Sequence, residues 1–265
     1  MVKVICDTNI WYDIGEAEIK FNSSIPELYC TYLSLHELIH TENLKTNFPQ
    51  LRNACKAVLT YSKGFILEPP IKHLFNLCNP NDLKISESNF INAIECLASI
   101  NSIDEDIIIE LDKYLLMKHY TLTNYFVSYI NDEIHKARTE IFKNKGNRNE
   151  YKQITRKNDI VKKRLTNLKY QIVNDIKYEF PLVKDEQFKE SFWDKIDFYI
   201  NSRLKYFEKL RIDRKMKPQP NDAVDLLNLV YVNEDCLYWT KDTRWKNIFI
   251  ESKLEKYLFD YKYIK

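Results

Sequence analysis

Val2-Lys3-Val4-Ile5-Cys6-Asp7-Thr8-Asn9 decides how this 265-residue chain is read. Residues 2–6 are β-branched and apolar apart from Lys3, the pattern of a short buried strand, and the run stops on an acid. In an open parallel α/β sheet, strand C-termini and helix N-termini meet at one edge. Asp7 either ends the strand there or serves chemistry there.

Working outward, Leu28 to Leu33 is a second strand candidate. Ser34-Leu-His-Glu37 follows it as a capping-box pattern, so a helix is expected with Leu35, Leu38 and Ile39 facing inward. A further helix is expected over about 50–62, ended by Gly64, and a brief strand over Phe65 to Leu67, stopped by Pro69-Pro70. From about 71 to 215 the apolar residues recur at three- and four-residue steps. Ser88 to Ile100, Asp104 to Phe142, Asn149 to Phe180 and Glu186 to Ile212 all read as helix. After Pro218 and Pro220 the α/β character returns: a helix over Asn221 to Val232, a strand over Cys236 to Thr240, and a short strand at Ile248 to Ile250. The expected architecture is one α/β core with a central parallel sheet built from both chain ends, residues 1–68 and 218–265. A long all-α insertion, residues 69–217, lies between them.

Charge is unevenly placed. The net charge is only +2, yet Lys136 to Lys217 carries 23 Lys/Arg against 12 Asp/Glu, so both ends are acidic. A basic middle beside acidic ends suits a polyanion held near a cation site, and it also suits a solvated lysine-rich helical face. The six cysteines form no C-x-x-C pair and no zinc spacing, and read as free thiols. No run of 18 apolar residues occurs, which argues against a membrane span. The six residues before the first acid, Asp7, are too few for a signal peptide, so a cytoplasmic protein is expected.

Five acids fall at the expected sheet edge. Asp7 ends the first strand, Glu37 enters the helix after the second, and Asp222 and Asp225 lie three apart on one face of the late helix. Asp242 follows the late strand. Each has a structural use: a strand end, a capping box, helix-dipole complements, a turn. Gathered in one place, such carboxylates repel unless a divalent cation sits among them. Hard oxygen donors suit Mg²⁺ or Mn²⁺, which activate water for phosphodiester cleavage.

Val4-Ile5-Cys6-Asp7-Thr8-Asn9-Ile10-Trp11 resembles the opening motif of the PIN-domain family of metal-dependent ribonucleases. Ser34-Leu-His-Glu37, Asn221-Asp222-Ala-Val-Asp225 and Leu237-Tyr-Trp-Thr240-Lys-Asp242-Thr-Arg-Trp245 resemble its later motifs, in the family's order. The resemblance covers residues 1–68 and 218–265. It implies a Rossmann-like parallel sheet and endoribonuclease activity. Asp7, Glu37, Asp222 and Asp242 would be catalytic and metal-holding, Asp225 a further ligand, and Asn9 and Thr240 would orient the carboxylates by hydrogen bonds. It leaves open a role as a toxin or defence effector with an inhibitory protein partner. The 69–217 interval is far longer than in small PIN toxins, so a substrate cannot be carried over from them.

Lys136 to Lys169 has 12 bases against 3 acids, interleaved with Phe142, Tyr151 and nearby Tyr170. Lys157, Lys162, Lys163 and Arg164 are the candidates for contacting RNA phosphates, with aromatics stacking on bases. The alternatives are a structure-selective DNA nuclease and an inactive nucleic-acid-binding module. An aspartate-nucleophile phosphatase ranks low, because Asp7-Thr8-Asn9 lacks the second Asp. The five histidines form no nucleophile–base pair, and the oligomeric state is not readable.

Overall fold

A computed structural model describes residues 2–19, 26–79, 88–113, 135, 158–213 and 215–260. Lys157, Phe142 and Tyr151, with the basic stretch 136–157, lie outside the described residues. The order is β1 (Lys3–Cys6), α1 (Thr8–Gly15), β2 (Glu27–Thr31), α2 (Tyr32–Ile39), α3 (Asn43–Thr46), α4 (Phe48–Tyr61), β3 (Ser62–Ile66) and α5 (Pro70–Cys78). There follow α6 (Ser88–Ser99), α7 (Glu105–Lys113), α8 (Asn158–Glu179), α9 (Glu190–Lys195), α10 (Asp197–Ile212), α11 (Pro220–Asn228), β4 (Cys236–Trp239) and α12 (Thr243–Glu251).

The four strands form one all-parallel sheet in the order β3-β2-β1-β4. Ile5 sits opposite Tyr29 on one side and Tyr238 on the other. A single parallel bridge from Tyr238 to Leu258 extends the β4 edge. The chain therefore moves outward from β1 through β2 to β3, then crosses back to place β4 on the other side of β1. Where the strand order reverses, the loops leaving β1 and β4 diverge and open a crevice at their carboxyl ends. Asp7 and Asp242 lie in those two loops, although 235 positions apart by their numbers.

Parallel strands must be covered on both faces, because their crossovers lay helices there. Alternation along β1 divides the covering. Val4 and Cys6 pack with Leu28 and Cys30 against α1, α4 and α6 through Trp11, Leu51, Val58 and Ile94. Ile5 faces the other way, with Tyr238, onto α8, α10 and α12 through Ile172, Ile176, Phe198, Tyr206 and Phe249. The described helices of the 69–217 interval are thus layers of the same structure. One group thickens the α1–α4 face, and another covers a face to which residues 218–265 supply α11, α12 and the turns around residues 229–232 and 254–257. Helices α1 and α4 touch at backbone level: a Cβ on Gly15 would lie 2.6 Å from the Asn53 carbonyl carbon. Glycine is the residue that permits that approach.

Several local expectations are corrected. Helix α2 begins a turn earlier than the capping box implied. Thr31 is the cap, its hydroxyl accepting from the Ser34 N–H at 3.1 Å, so Glu37 stands in the second turn and not the first. Ile248 to Ile250 is helical, within α12, because Asp242 caps that helix and Trp245, Ile248 and Phe249 form its buried stripe. Gly64 lies inside β3, packed over the Tyr29 ring, and does not end α4. The Glu186 to Ile212 stretch is broken at Ile196 into α9 and α10.

Candidate active site

Five acids stand at the carboxyl edge of the sheet, two just after strands and three on helices. Asp7 follows β1, whose ladder runs on to the Asp7 N–H, bonded to the Trp239 carbonyl at 2.9 Å, and it stands at the N-terminal boundary of α1. Asp242 follows β4 and caps α12. Its Oδ1 accepts from the Arg244 N–H at 2.7 Å and the Trp245 N–H at 3.2 Å, which satisfies two of that helix's unpaired first-turn donors. Asp222 is the third residue of α11, where it accepts from the Gln219 N–H at 2.9 Å. Glu37 and Asp225 project from the second turns of α2 and α11.

Hydroxyls fasten two of them. The Thr240 hydroxyl donates to Asp7 Oδ2 at 2.7 Å and also accepts from the Asp242 N–H at 3.1 Å, so one side chain links both acid-bearing loops. The Thr8 hydroxyl donates to Glu37 Oε2, tying the start of α1 to α2. Between Thr240 and Asp242, Lys241 pairs with Asp13 at 2.6 Å and Glu18 at 3.3 Å, pinning the β4–α12 turn to the α1 side.

The other half of the site is built around Arg244. Its guanidinium lies 2.5 Å from Asp222 Oδ1, 3.7 Å from Asp225 Oδ2 and 3.8 Å from Asp242 Oδ2. Asp222 is fully enclosed at 0% exposure, and its second oxygen takes the Tyr206 hydroxyl at 2.6 Å. Asp225 accepts from the Trp245 indole N–H at 2.8 Å. Tyr206, from α10, stacks on Trp245 with centroids 5.3 Å apart, so the helical interval reaches into the wall of the site.

Electrostatics reports the same convergence. Burial pushes Asp7 up to about 6; Asp242 adds to the rise, while the Thr240 hydroxyl and the Thr8 N–H oppose it. Burial pushes Glu37 up to about 7, with the Asp7 charge adding to it and the Thr8 hydroxyl opposing. Asp225 is raised well above the carboxylate range, first by burial and then by the charges of Asp7 and Glu37. Three carboxyls from three separate segments therefore feel one another, in surroundings that disfavour their charge. As they stand, no three His, Cys, Asp or Glu side chains among the described residues form a ready-made metal-holding group.

The remaining candidates fall elsewhere. Asn9 is exposed on the first turn of α1 and bonds to none of these acids among the described residues. Lys162 and Lys163 are exposed on α8, and Arg164 is half-buried, one turn before the buried row of Leu168, Ile172 and Ile176. His36 and His40 pack edge to face, with centroids 4.2 Å apart. Sequence reasoning passed over Thr8, Tyr206 and Arg244. Thr8 and Arg244 sit inside the quoted motifs, but nothing about Tyr206 in a long aromatic helix signals its contact with Asp222.

The class so defined is an α/β protein whose parallel sheet carries an acidic site at its strand-order reversal. Comparison of the chain with protein-family models, with curated proteins and with solved structures gave no match. Among the described residues, no helix is long and apolar enough to cross a membrane.

Proposed function

We propose that this protein is a Mg²⁺- or Mn²⁺-dependent endoribonuclease with a PIN-like, Rossmann-type core, and that Asp7, Glu37 and Asp225 are the carboxylates that hold the cation. The observation that supports the reading is the placement of these three acids at one sheet edge, after β1 and in the second turns of α2 and α11, where burial and one another's charge disfavour ionisation. Carboxylates so placed favour a proton or a metal ion, and hard oxygen donors with no sulfur or imidazole suit Mg²⁺ or Mn²⁺.

When bound, such an ion activates water and offsets charge on the phosphodiester. The chain's own residues do the rest. Thr240 and Thr8 fix the directions of the Asp7 and Glu37 carboxylates, each by occupying one oxygen. Asp242 is half-committed to capping α12 and supports the site at longer range. Asp222 differs from the role the family resemblance gives it: enclosed and fully engaged by Tyr206, Gln219 and Arg244, it is better suited to positioning than to ligation. The exposed Lys162 and Lys163 on α8 are candidate contacts for the RNA backbone.

The test is cleavage of an end-labelled single-stranded RNA with Mg²⁺ or Mn²⁺, beside a DNA of the same sequence. Cleavage should need the cation, stop with chelator, and fall on the order of 100-fold or more in Asp7→Asn and Glu37→Gln. No RNA cleavage with either ion ends the reading. Cleavage of the DNA alone transfers it to a deoxyribonuclease.

A further inference from the structure

We infer that the outer face of α8 is a track for an unpaired RNA strand, with Tyr170 and Tyr178 as the platforms on which its bases stack. The inference rests on the ribonuclease reading proposed above for the kind of nucleic acid, and its test needs no cleavage.

Helix α8 buries Leu168, Ile172 and Ile176 and leaves its opposite side to solvent. Four-residue steps set side chains in rows along a helix. Lys162, Thr166, Tyr170, Asn174 and Tyr178 form one such row, every member exposed and none an acid. Lys163 and Asn167 stand beside its first half, exposed as well. From Ile160 to Tyr178 the helix has five Lys/Arg and one acid, Asp175. Asp175 comes seven residues after the buried Leu168 and so on its side of the helix, where the Arg203 charge reaches it.

The cations of this helix are not alike. Lys169 lies over the Trp193 ring, 4.6 Å from its centroid, and Lys177 pairs with Asp185 at 2.7 Å, so both are engaged locally. Lys162 and Lys163 make no ion pair among the described residues. Their charge is open to the phosphates of a polyanion.

The tyrosines decide which polyanion. Tyr170 is 67% exposed and Tyr178 84% exposed, whereas α10 buries its own Tyr199 and Tyr206. An open ring offers a π-face to any unpaired base, while a duplex keeps its bases stacked on one another and presents phosphates and groove edges. Eight residues of helix set the two rings about 12 Å apart along the axis. Between them the Asn174 amide offers both a donor and an acceptor to a base edge or a phosphate. The row is polar and narrow and lacks the apolar centre that a protein interface buries, which favours a strand over a protein partner.

The experiment is fluorescence anisotropy of a short labelled RNA of mixed sequence, as single strand and as duplex, with the full chain in EDTA. The wild-type protein should bind the strand more tightly than the duplex. Tyr170→Ala and Tyr178→Ala should each weaken strand binding about tenfold and leave duplex binding nearly unchanged, and Tyr170→Phe, which keeps the ring, should bind as wild type. Circular dichroism checks that each variant folds. No strand binding, strand affinity unchanged in both alanine variants, or a loss shared equally by strand and duplex overturns the inference. A loss confined to Lys162→Glu and Lys163→Glu also overturns it, and marks the face as one for polyanions at large, acidic proteins included. Each of these results leaves the cleavage reading to its own test. Tyrosine-dependent strand binding by a protein that cleaves no RNA supports the inference and overturns the ribonuclease reading.

Discussion

The Thr240 hydroxyl donates to Asp7 Oδ2 across 2.7 Å, between residues 233 positions apart in the chain. This bond requires β1 and β4 to be in register, since the ladder between them ends at Asp7 and Trp239. It reports both the closing of the sheet and the setting of the site.

Removing the hydroxyl tests that double role. Thr240→Val keeps the shape and leaves a buried carboxylate short of a donor, which costs about 1–3 kcal/mol. The Asp7 carboxyl, whose rise to about 6 this bond opposes, should move higher still. Chemical denaturation should show the loss of stability. The acidic limb of a pH–rate profile should shift upward, and Thr240→Ser should restore both.

Asp7 and Glu37 make stability depend on pH in an unusual sense. Both are raised in the folded protein, to about 6 and about 7, so the folded state binds more protons than the unfolded one between their ordinary values and these. Their contribution is fully present below the ordinary carboxylate range and is lost as pH rises through the raised values. Asp7→Asn and Glu37→Gln should therefore stabilise the metal-free protein above neutral pH, by about 1–3 kcal/mol each, and have little effect near pH 4. Thermal melts of wild type and variants across that range check the sign. Variants that are destabilised at alkaline pH would contradict it.

Tyr206 ties the helical interval to the site. Tyr206→Phe keeps the stacking on Trp245 but removes the donor to the enclosed Asp222, which should cost about 1.5–3 kcal/mol. A melt unchanged from wild type would mean that α10 covers the sheet without positioning the acid.

The cations in the first two turns of α8 are tested through salt. Reversing Lys162, Lys163 and Arg164 to Glu should weaken RNA binding and lower the slope of log affinity against log salt by about 2, at roughly 0.7 for each lost single-strand contact. An unchanged slope would make these residues a solvated face only.

Much of this layout was legible in the sequence, and the misses have physical causes. β1, β2 and β4 were readable because β-branched and aromatic runs lie at the two chain ends, although the second run was read on to Leu33, two residues past the end of β2 at Thr31. The edge location of Asp7, Glu37, Asp222, Asp225 and Asp242 followed from placing each at a strand end or helix start. Ile248-Phe249-Ile250 looked like a strand because three apolar residues in a row carry no period of their own, and the Asp242 cap decided for helix. Ser34 and Thr31 are both good caps three residues apart, and only the end of the β2 ladder selects Thr31. Which partners each acid takes was not legible at all: Asp222 is held by Arg244 and Tyr206, and those contacts are chosen by packing across α10, α11 and α12.

A crystal of the wild-type protein soaked in Mn²⁺ and measured at the manganese absorption edge tests the central claim most directly. An anomalous peak bounded by the Asp7, Glu37 and Asp225 carboxylates, with Arg244 still on Asp222, is the expected result. Manganese absent from that position, or an Asp7 carboxylate turned away from Glu37 and Asp225, would contradict the account.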